Sequence, residues 1–352
     1  MNKPTSKAEF RKFGGDFRQF DGQDVLVTGG TGSFGSKFVR LVLNNSTPER
    51  LIVFSRDELK QFEMMNSLAD HPKAKCLRFF IGDVRDQSRL ELALREVDYV
   101  VHAAALKQVP TAEYNPFECI HTNILGAENI VRAALRCGVK RVLALSTDKA
   151  ASPVNLYGAS KLASDKIFVA ANRLVGDQDI KFSVVRYGNV LGSRGSVIPF
   201  FRRLIDKGAK ELPITDVNMT RFWITLDQGI DFVISSFGMM QGGEIFVPKI
   251  PSMKIVDVAT TIAPNLPHKI IGVRPGEKIH EVMITEDDAR ATIDLDDRYV
   301  MCPPNDLWTD EAYRKRGGRH AAPNFRYGSD NNSEWLDGPG LQALMSMSES
   351  VS

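Results

Sequence analysis

Residues 27–35 read VTGGTGSFG, a glycine-rich turn that follows an apolar run. Gly29, Gly32 and Gly35 have the spacing GxxGxxG, which differs from the GxGxxG of the common dinucleotide fingerprint. A glycine backbone lets a diphosphate approach closely, and the N-terminus of the helix that follows attracts anions. The stretch therefore predicts the first turn of a βαβ unit that binds a dinucleotide, with glycines that merely make a turn as the alternative.

Apolar runs recur beyond this loop in the pattern of alternating strands and helices. The runs that read as buried parallel strands are DVLVTG, RLIVFS, LRFFIGD, YVVHAAA, RVLALST and FSVVRYG. Most segments between them have helical spacing, and the crossover from Pro116 to Arg136 is expected to end at Gly138, where glycine can adopt a left-handed cap. We predict an α/β fold with a doubly wound parallel sheet of the Rossmann type.

The alternation weakens after about residue 190, which predicts a smaller C-terminal part interleaved with the first domain. GGEIFVP at 242–248 reads as one further strand of the main sheet. The predicted organisation is an N-terminal arm at 1–20, a Rossmann domain that binds NADP at 21–190, a substrate-binding part at 191–335 with 225–248 returning to the sheet, and a tail at 336–352 whose end is expected to fray.

The N-terminal arm contains a spaced set of aromatic residues. Its phenylalanines would form one apolar stripe on a helix: Phe10, Phe13, Phe17 and Phe20. Gly14 and Gly15 interrupt that helix, so the sequence leaves a disordered arm and a docked helix both open.

The composition indicates a globular protein with a large core. The chain has 352 residues, 43% of them hydrophobic and 25% charged, and a formal net charge of +2. Its basic residues are spread out, so neither nucleic acid nor an anionic membrane is an expected partner. The four cysteines and six histidines show no disulfide or metal-ligand spacing. No apolar run approaches the roughly 18 residues that span a bilayer, and the polar start lacks the apolar segment of a signal peptide, so we expect a cytoplasmic protein without a metal.

The second strand ends in Ser55-Arg56-Asp57, which bears on the choice of dinucleotide. An acidic residue here would bind the ribose 2′-hydroxyl of NAD, whereas serine and arginine suit the 2′-phosphate of NADP. We therefore expect NADP, although Asp57 is equally suited to cap the helix that follows. The other expected cofactor contacts lie in the glycine turn, the next helix and the next strand ends: Thr31, Ser33, Phe34, Lys60, Asp83, Val84 and Ala103. Asp83 and Val84 could meet the adenine. These two residues and Ala103 also fit ordinary strand ends without a cofactor.

Residues 146–161, STDKAASPVNLYGASK, place several proton-handling groups between the fifth strand and a helix. Tyr157 and Lys161 are four residues apart, so a helix brings both to one face. A nearby ammonium favours the phenolate, and we expect Lys161 to lower the tyrosine pKa toward that of a usable base. A YxxxK pair alone is common on surface helices, but its position after a dinucleotide loop and after Thr147 favours catalysis.

These motifs together resemble the extended short-chain dehydrogenases/reductases that act on nucleotide sugars, over roughly residues 21–330. In that family an oxidation or 4-epimerisation needs the tyrosine, a hydroxyl such as Thr147, and the cofactor. A 4,6-dehydration also needs a base that removes the C5 proton and an acid that protonates the departing C6 hydroxyl. Thr147, Asp148 and Lys149 stand where the resembling dehydratases of UDP-N-acetylglucosamine carry Thr-Asp-Lys and those of deoxythymidine-diphosphate glucose carry Thr-Asp-Glu. A loop ion pair is the structural alternative for these two residues.

Later segments resemble the substrate-binding elements of the same family. RYGNVLGSRGSVIPFF at 186–201 implies Asn189 and Arg194 as ligands and Val190 beside the nicotinamide. Lys107 resembles a position between cofactor and sugar, with a surface lysine as the alternative. Arg274 in GVRPGEKIHE is suited to bidentate binding of a diphosphate, and Arg221 in MTRFWIT reads equally well as an internal ion-pair partner. Lys149 and Lys161 are expected to contact substrate as well.

The resemblance implies a UDP-N-acetylglucosamine 4,6-dehydratase of the soluble, C5-inverting kind that begins pseudaminic acid synthesis. Tyr157 would take the 4-hydroxyl proton, Lys149 the C5 proton, and Asp148 would protonate the leaving oxygen. We expect desolvation and neighbouring cations to keep Lys149 neutral. A homo-oligomer, dimer or hexamer, is expected. The alternatives are a UDP-sugar 4-epimerase and a non-catalytic NADP-binding regulator.

Overall fold

The first half of the chain alternates strands and helices, as its apolar runs predict. The structure is a computed structural model that describes residues 11–193, 196–303 and 308–349. The first-half elements are β1 (Asp24–Thr28), α1 (Ser33–Asn45), β2 (Arg50–Ser55), α2 (Glu58–Ser67), β3 (Leu77–Ile81), α3 (Gln87–Ala93), β4 (Tyr99–His102), α4 (Val109–Tyr114), α5 (Pro116–Ile120), α6 (Gly126–Cys137), β5 (Arg141–Thr147), α7 (Leu156–Ala171) and β6 (Lys181–Tyr187). Gly138 ends α6 at φ 69°, which confirms the predicted left-handed cap.

The second half contains shorter strands and helices. They are β7 (Asn189–Val190), α8 (Val197–Asp206), β8 (Leu212–Ile214), β9 (Thr220–Ile224), α9 (Leu226–Phe237), β10 (Ile245–Pro248), β11 (Ser252–Lys254), α10 (Ile255–Ile262), β12 (His268–Ile270), β13 (Val282–Ile284), α11 (Glu286–Ala289), β14 (Thr292–Asp294), β15 (Arg298–Met301), α12 (Glu311–Arg314), β16 (Arg319–His320), β17 (Tyr327–Gly328) and α13 (Gly338–Glu349). None of the described helices is both long enough and apolar enough to cross a lipid bilayer.

Seven parallel strands form the body of the main sheet, in the order β3-β2-β1-β4-β5-β6-β10. The order reverses between β1 and β4, so a crevice opens there at the carboxyl ends of the strands. The doubly wound Rossmann sheet predicted from sequence is confirmed. Three strands that the sequence analysis did not assign extend this sheet antiparallel beyond β10, in the order β15, β14 and β16. Each has only two to four residues, too few for a clear apolar pattern.

A second, smaller core supports the loops on one side of the crevice. Its buried residues include Phe201 from α8, Trp223 from β9 and Met253 from β11. Leu341 and Leu344 of α13 are buried in the same cluster. The sequence analysis treated 336–352 as a tail with a fraying end, whereas α13 continues to Glu349. The helix forms because its leucines, three residues apart, bury one face against this core.

The described part of the N-terminal arm, from Arg11 onward, packs on the main domain. Phe13 and Phe20 are buried, and the Phe13 ring meets Phe232 of α9 at 4.7 Å between centroids. Asp231 accepts hydrogen bonds from the backbone N–H groups of Phe13 at 2.5 Å and Gly15 at 2.7 Å. Gly14 has φ 67°, which excludes one continuous helix, and only Phe17–Phe20 forms a 3-10 helix. The arm thus docks without the predicted helical stripe, and Phe10 lies outside the described residues.

Candidate active site

A cleft of about 1020 Å³ opens at the switch point of the sheet. Its walls come from α1, the ends of β4, β5 and β6, the start of α7, and the segments at 188–193 and 274–278. The predicted site residues that line it are Ser33, Phe34, Ala103, Lys107, Thr147, Lys149, Tyr157, Lys161, Asn189, Val190 and Arg274. Sequence positions far apart in the chain therefore meet in one cavity, the usual location of a ligand in this kind of sheet.

The glycine turn between β1 and α1 leaves no room for side chains at two positions. Gly29 has φ 65°, and a Cβ there would lie 3.0 Å from the backbone of Ala104. A Cβ on Gly35 would lie 2.4 Å from the Gly30 Cα. Gly32 caps α1 without any side-chain hydrogen bond. The cap therefore gives no side-chain acceptor to the N–H groups in the first turn of α1, and such a helix start suits an anion.

The loop after β2 gives its three polar residues different surroundings. The Ser55 hydroxyl lies 2.7 Å from the Thr31 hydroxyl. Asp57 is the N-cap of α2, accepts a hydrogen bond from the Lys60 backbone and pairs with the Lys60 ammonium, which holds the pKa of its carboxyl below the usual value. Of the two readings for Asp57, the structure therefore shows the cap.

The remaining expected cofactor contacts lie around the next two strand ends. The Arg56 guanidinium, about half exposed, lies 3.3 Å from the Asp83 carboxylate. The Val84 side chain is 4% exposed and packs where a Cβ on Gly126 would fall, so it belongs to the core. Ala103 lines the cleft, and its backbone N–H donates to the Thr28 hydroxyl at 3.1 Å.

A short 3-10 helix, Asp148–Ala150, connects β5 to the loop before α7 and carries the two dehydratase-type residues. Thr147 caps it and donates to the Asp148 Oδ1 at 2.9 Å. Asn155 caps α7 by accepting from the Gly158 N–H at 2.7 Å. A Cβ on Gly158 would lie 2.3 Å from the Lys149 carbonyl oxygen. This close approach brings the first turn of α7, with Tyr157, against the Asp148–Lys149 segment.

Tyr157 is buried, and its phenol faces Lys149 and Thr147. Burial raises the pKa of Tyr157 to about 12, while the Lys149 ammonium and a Thr147 hydrogen bond act in the opposite direction. Lys161 is 3% exposed, and burial lowers its pKa although Asp165 opposes that shift. Lys161 was expected to be the cation that lowers the tyrosine pKa. Among the protein's own charges, Lys149 has the largest lowering effect.

Asp148, Lys149 and Glu281 form a cluster that we call the carboxylate–lysine cluster. The Lys149 Nζ lies 3.1 Å from the Asp148 Oδ1 and 2.9 Å from the Glu281 Oε1. Burial raises the pKa of Asp148, and Glu281 adds to that shift. For Lys149, burial lowers the pKa, but the two carboxylates outweigh it and the pKa is raised overall. The expectation that neighbouring cations keep Lys149 neutral was therefore wrong, because its nearest charged partners are carboxylates.

The expected substrate ligands divide into cleft-lining and internal groups. Arg274 lines the cleft with its side chain 65% exposed, and it pairs with Glu277. Arg221 also lines the cleft, but it is 8% exposed and its guanidinium makes internal hydrogen bonds to the backbone oxygens of Thr220, Ile279 and Lys278. Arg194 lies outside the described residues.

Glu281 is the residue of this site that sequence reasoning missed. It stands in a charged segment before β13, about 130 residues after Lys149 in the chain, and no local pattern marks it as buried. Its backbone is held by Ser329, which accepts from the Glu281 N–H at 2.9 Å and donates its own N–H to the Glu281 carbonyl at 2.8 Å. Only the packing of β13 against the Asp148–Ala150 turn brings its carboxylate to Lys149.

Two sequence relatives cover most of the chain. A UDP-N-acetylglucosamine 4,6-dehydratase (inverting) of Campylobacter jejuni is 54% identical over 94% of this chain and 99% of the relative. A UDP-glucose 4-epimerase of Rickettsia akari is 43% identical over 80% of this chain and 83% of the relative. Both matches therefore cover four fifths or more of this chain.

Two solved structures are similar in shape. Pen from Bacillus thuringiensis aligns with a TM-score of 0.85 and 34% identity over 95% of this chain and 99% of that chain. DesIV, a dTDP-glucose 4,6-dehydratase of Streptomyces venezuelae with NAD bound, aligns with a TM-score of 0.64 and 26% identity over 73% of this chain and 87% of that chain. The polysaccharide biosynthesis protein family matches residues 25–303. The fold, the cleft and these matches together show that the chain belongs to this family of extended short-chain dehydrogenases/reductases.

Proposed function

We propose that this protein is a UDP-N-acetylglucosamine 4,6-dehydratase that inverts the configuration at C5. The observation that carries the proposal is the meeting of Tyr157 with Lys149 and Glu281 in the wall of one cleft, with the fully buried Asp148 in contact with the Lys149 Nζ. Oxidation alone needs only the tyrosine, whereas elimination of water needs the acid and base that this cluster supplies. The 54% identity to the inverting dehydratase of Campylobacter jejuni supports the same substrate and stereochemistry.

A nicotinamide dinucleotide is the cofactor that the cleft fits, and it would accept a hydride from C4 and return it to C6. The glycine turn would hold its diphosphate, because Gly29 and Gly35 leave the backbone open and α1 offers free N–H groups. NADP rather than NAD is our proposal, since Ser55 and the half-exposed Arg56 suit a 2′-phosphate. DesIV has NAD bound, so this choice rests on the loop residues of this chain.

Oxidation at C4 begins when Tyr157 takes the proton of the 4-hydroxyl. A phenol with a pKa near 12 is a weak donor of its own proton, so the phenolate must be stabilised at the moment of reaction. The Lys149 ammonium and the Thr147 hydroxyl supply that stabilisation within the protein. Lys161 lies one turn further along α7 and lines the same cleft, where its cation can bind substrate or cofactor hydroxyls.

Elimination requires Asp148 as a carboxylic acid and Lys149 as a neutral amine. The ion pair of the structure carries the same single proton, but on Lys149. The 3.1 Å contact lets one proton pass from the Lys149 ammonium to the Asp148 carboxylate. Lys149 then removes the C5 proton, which the C4 ketone makes acidic, and Asp148 gives its proton to the C6 oxygen, which leaves as water. The step restores the ammonium and the carboxylate, so the charges and protons balance.

The product takes its configuration from the face on which C5 is reprotonated. After elimination the ring carbon C5 and the exocyclic carbon C6 share a double bond that is conjugated with the C4 ketone, and C6 becomes a methyl group when it receives the hydride. We propose that C5 receives its proton on the face opposite to the one it lost, which gives the L-arabino 4-keto-6-deoxy sugar. The inverting relative supports this outcome.

A UDP-sugar 4-epimerase is the second candidate, favoured by the 43% identity to the Rickettsia akari enzyme. An epimerase returns the hydride to C4 and breaks no C–O bond at C6. It would leave the buried Asp148 and its partner Lys149 without a proton-transfer task, although burying the Asp148 carboxyl is costly. The cluster therefore favours the dehydratase.

The wider setting is also part of the proposal. We propose that the enzyme acts in the cytoplasm as a homo-oligomer, a dimer or hexamer, and supplies pseudaminic acid synthesis, without nucleic acid or membrane partners. The four cysteines are free thiols, which agrees with a reducing compartment. Exposed aromatic residues on α4 and α5, Tyr114 and Phe117, are consistent with a surface that another copy covers.

Proton NMR of the enzyme with NADP and UDP-N-acetylglucosamine tests the proposed reaction. A dehydratase gives a new C6 methyl signal and loses the C6 methylene signals. An epimerase instead gives a UDP-hexosamine with an inverted C4 and no methyl group. The second result, or an unchanged spectrum, would contradict the proposed function.

A further inference from the structure

Glu281 contributes a third charge to the Asp148–Lys149 pair. It is 1% exposed, and its Oε1 lies 2.9 Å from the Lys149 Nζ. A buried carboxylate is costly unless it is paired, and Glu281 is paired with Lys149, a partly exposed lysine of the cleft wall. Because Glu281 precedes β13 and Lys149 follows β5, the contact also joins two segments that are far apart in the sequence.

The surroundings of Glu281 keep it ionised. Burial alone would raise its pKa, but Lys149 and Arg221 outweigh that and lower it. The Arg221 Nε lies 3.8 Å from Oε1, and the Lys278 Nζ lies 3.9 Å from Oε2. Arg221 is itself fixed by three backbone carbonyls and Lys278 by the Ala151 carbonyl oxygen, so these cations form a rigid frame.

Two oxygens of the cluster have no hydrogen-bond partner among the described residues. They are the Asp148 Oδ2 and the Glu281 Oε2. Asp148 uses its other oxygen for Thr147 and Lys149, and Glu281 uses its other oxygen for Lys149. Lys149 therefore lies between two carboxylates, each of which keeps one oxygen free to accept a further proton or hydrogen bond.

We propose that Glu281 is a positioning residue for the dehydration step, which holds the Lys149 Nζ against Asp148 and stabilises the ammonium that forms when the C5 proton is removed. This inference rests on the proposed function. Glu281 does not exchange a proton with the substrate, and Lys149 carries its effect. Asp148 alone would leave the ammonium with one acceptor, and that acceptor must give up its negative charge before each elimination.

The inference predicts a shift of the pH dependence with a definite sign. The active tautomer of the Asp148–Lys149 pair carries one proton, so the rate rises as the pair loses the first of two protons and falls as it loses the last. The Glu281 carboxylate raises both of these pKa values, because it disfavours the loss of each proton. Replacing it with a neutral group therefore moves both limbs of the profile to lower pH. Tyr157, Arg221 and Lys278, the other charged or titratable groups facing the cluster, are unchanged in this comparison.

The test compares Glu281→Gln, Glu281→Asp and wild type. Dehydration is followed across pH by single-turnover formation of the C6 methyl product, and C4 oxidation by the absorbance of the reduced nicotinamide. We expect Glu281→Gln to move both limbs down by about one pH unit and to slow dehydration at least about tenfold, while C4 oxidation changes little. Glu281→Asp, which keeps the charge, should restore the wild-type limbs.

Glu244→Gln is the matched control. Glu244 is also a fully buried glutamate, but it accepts hydrogen bonds from Ser183, Tyr313 and the backbone at 241–242. None of these partners belongs to the carboxylate–lysine cluster. This variant should keep the wild-type pH limbs even where its stability falls. Equal limbs in Glu281→Gln and wild type, or a slower rate with no shift, would overturn the inference while the dehydratase function stands. A wild-type enzyme that forms no methyl product would overturn the proposed function and this inference together.

Discussion

Replacing Lys149 with alanine separates the two chemical stages of the proposed reaction. The variant keeps Tyr157, which takes the 4-hydroxyl proton, but removes the base that takes the C5 proton. General-base catalysis contributes about a hundredfold to ten-thousandfold in rate, which corresponds to about 3 to 5 kcal/mol of the barrier. We therefore expect dehydration to slow by that factor. C4 oxidation should slow by less, because Lys149 only assists the Tyr157 phenolate in that stage, so the reduced nicotinamide should still accumulate.

The same change alters the charge balance of the buried cluster. Lys149 lies within 3.1 Å of Asp148 and 2.9 Å of Glu281, and both carboxylates are almost fully buried. Removing one partner of a buried pair costs about 3 to 5 kcal/mol of the free energy of unfolding. Arg221 and Lys278 stay near Glu281 and reduce this cost. Chemical denaturation must therefore accompany the kinetics, so that loss of rate is measured on folded protein.

The assay is a single turnover with UDP-N-acetylglucosamine, read by nicotinamide absorbance and by NMR of the sugar. Tyr157→Phe should show neither the reduced nicotinamide nor the methyl product, because it blocks the first stage. Lys140→Ala serves as a control, since that lysine is 56% exposed and pairs with Asp98 away from the cleft. Dehydration at the wild-type rate in folded Lys149→Ala would refute the assigned base, and the pair would then be a structural ion pair.

Three further predictions address the cofactor, the product and the arm. Arg56→Ala should weaken NADP binding and erase a preference for NADP over NAD in calorimetric titration, because the guanidinium is the proposed partner of the 2′-phosphate; tighter NAD binding by the unaltered protein would contradict this. In heavy water the early product should carry one deuterium at C5 and show the coupling constants of an L-arabino ring, and a D-xylo ring formed first would exclude inversion. Asp231→Ala should lower the free energy of unfolding by about 2 to 5 kcal/mol, because two backbone N–H groups of the arm lose a charged acceptor; an unchanged denaturation midpoint would show that the docked arm adds no stability.

The local sequence was sufficient for the sheet, the glycine turn and the helix that carries Tyr157. Buried parallel strands are apolar throughout, and a turn that leaves no room for a Cβ requires glycine. Both features can therefore be predicted from a short stretch of sequence. Residues 146–161 also come together directly, because a strand end, a short turn and the first turn of a helix are close in space whenever they are close in sequence.

Tertiary structure decided the partners of the charged groups. The sequence allowed Asp57 either to bind a ribose or to cap α2. In the structure its carboxylate caps α2. Arg221 lines the cleft, and only the fold gave its guanidinium the backbone carbonyls of Ile279 and Lys278 as partners. Lys149 was expected among cations, but the fold placed Glu281 beside it from a distant segment. A charge acts through space over a few ångströms, and the pKa of a buried group depends on which distant residues the fold brings into that range.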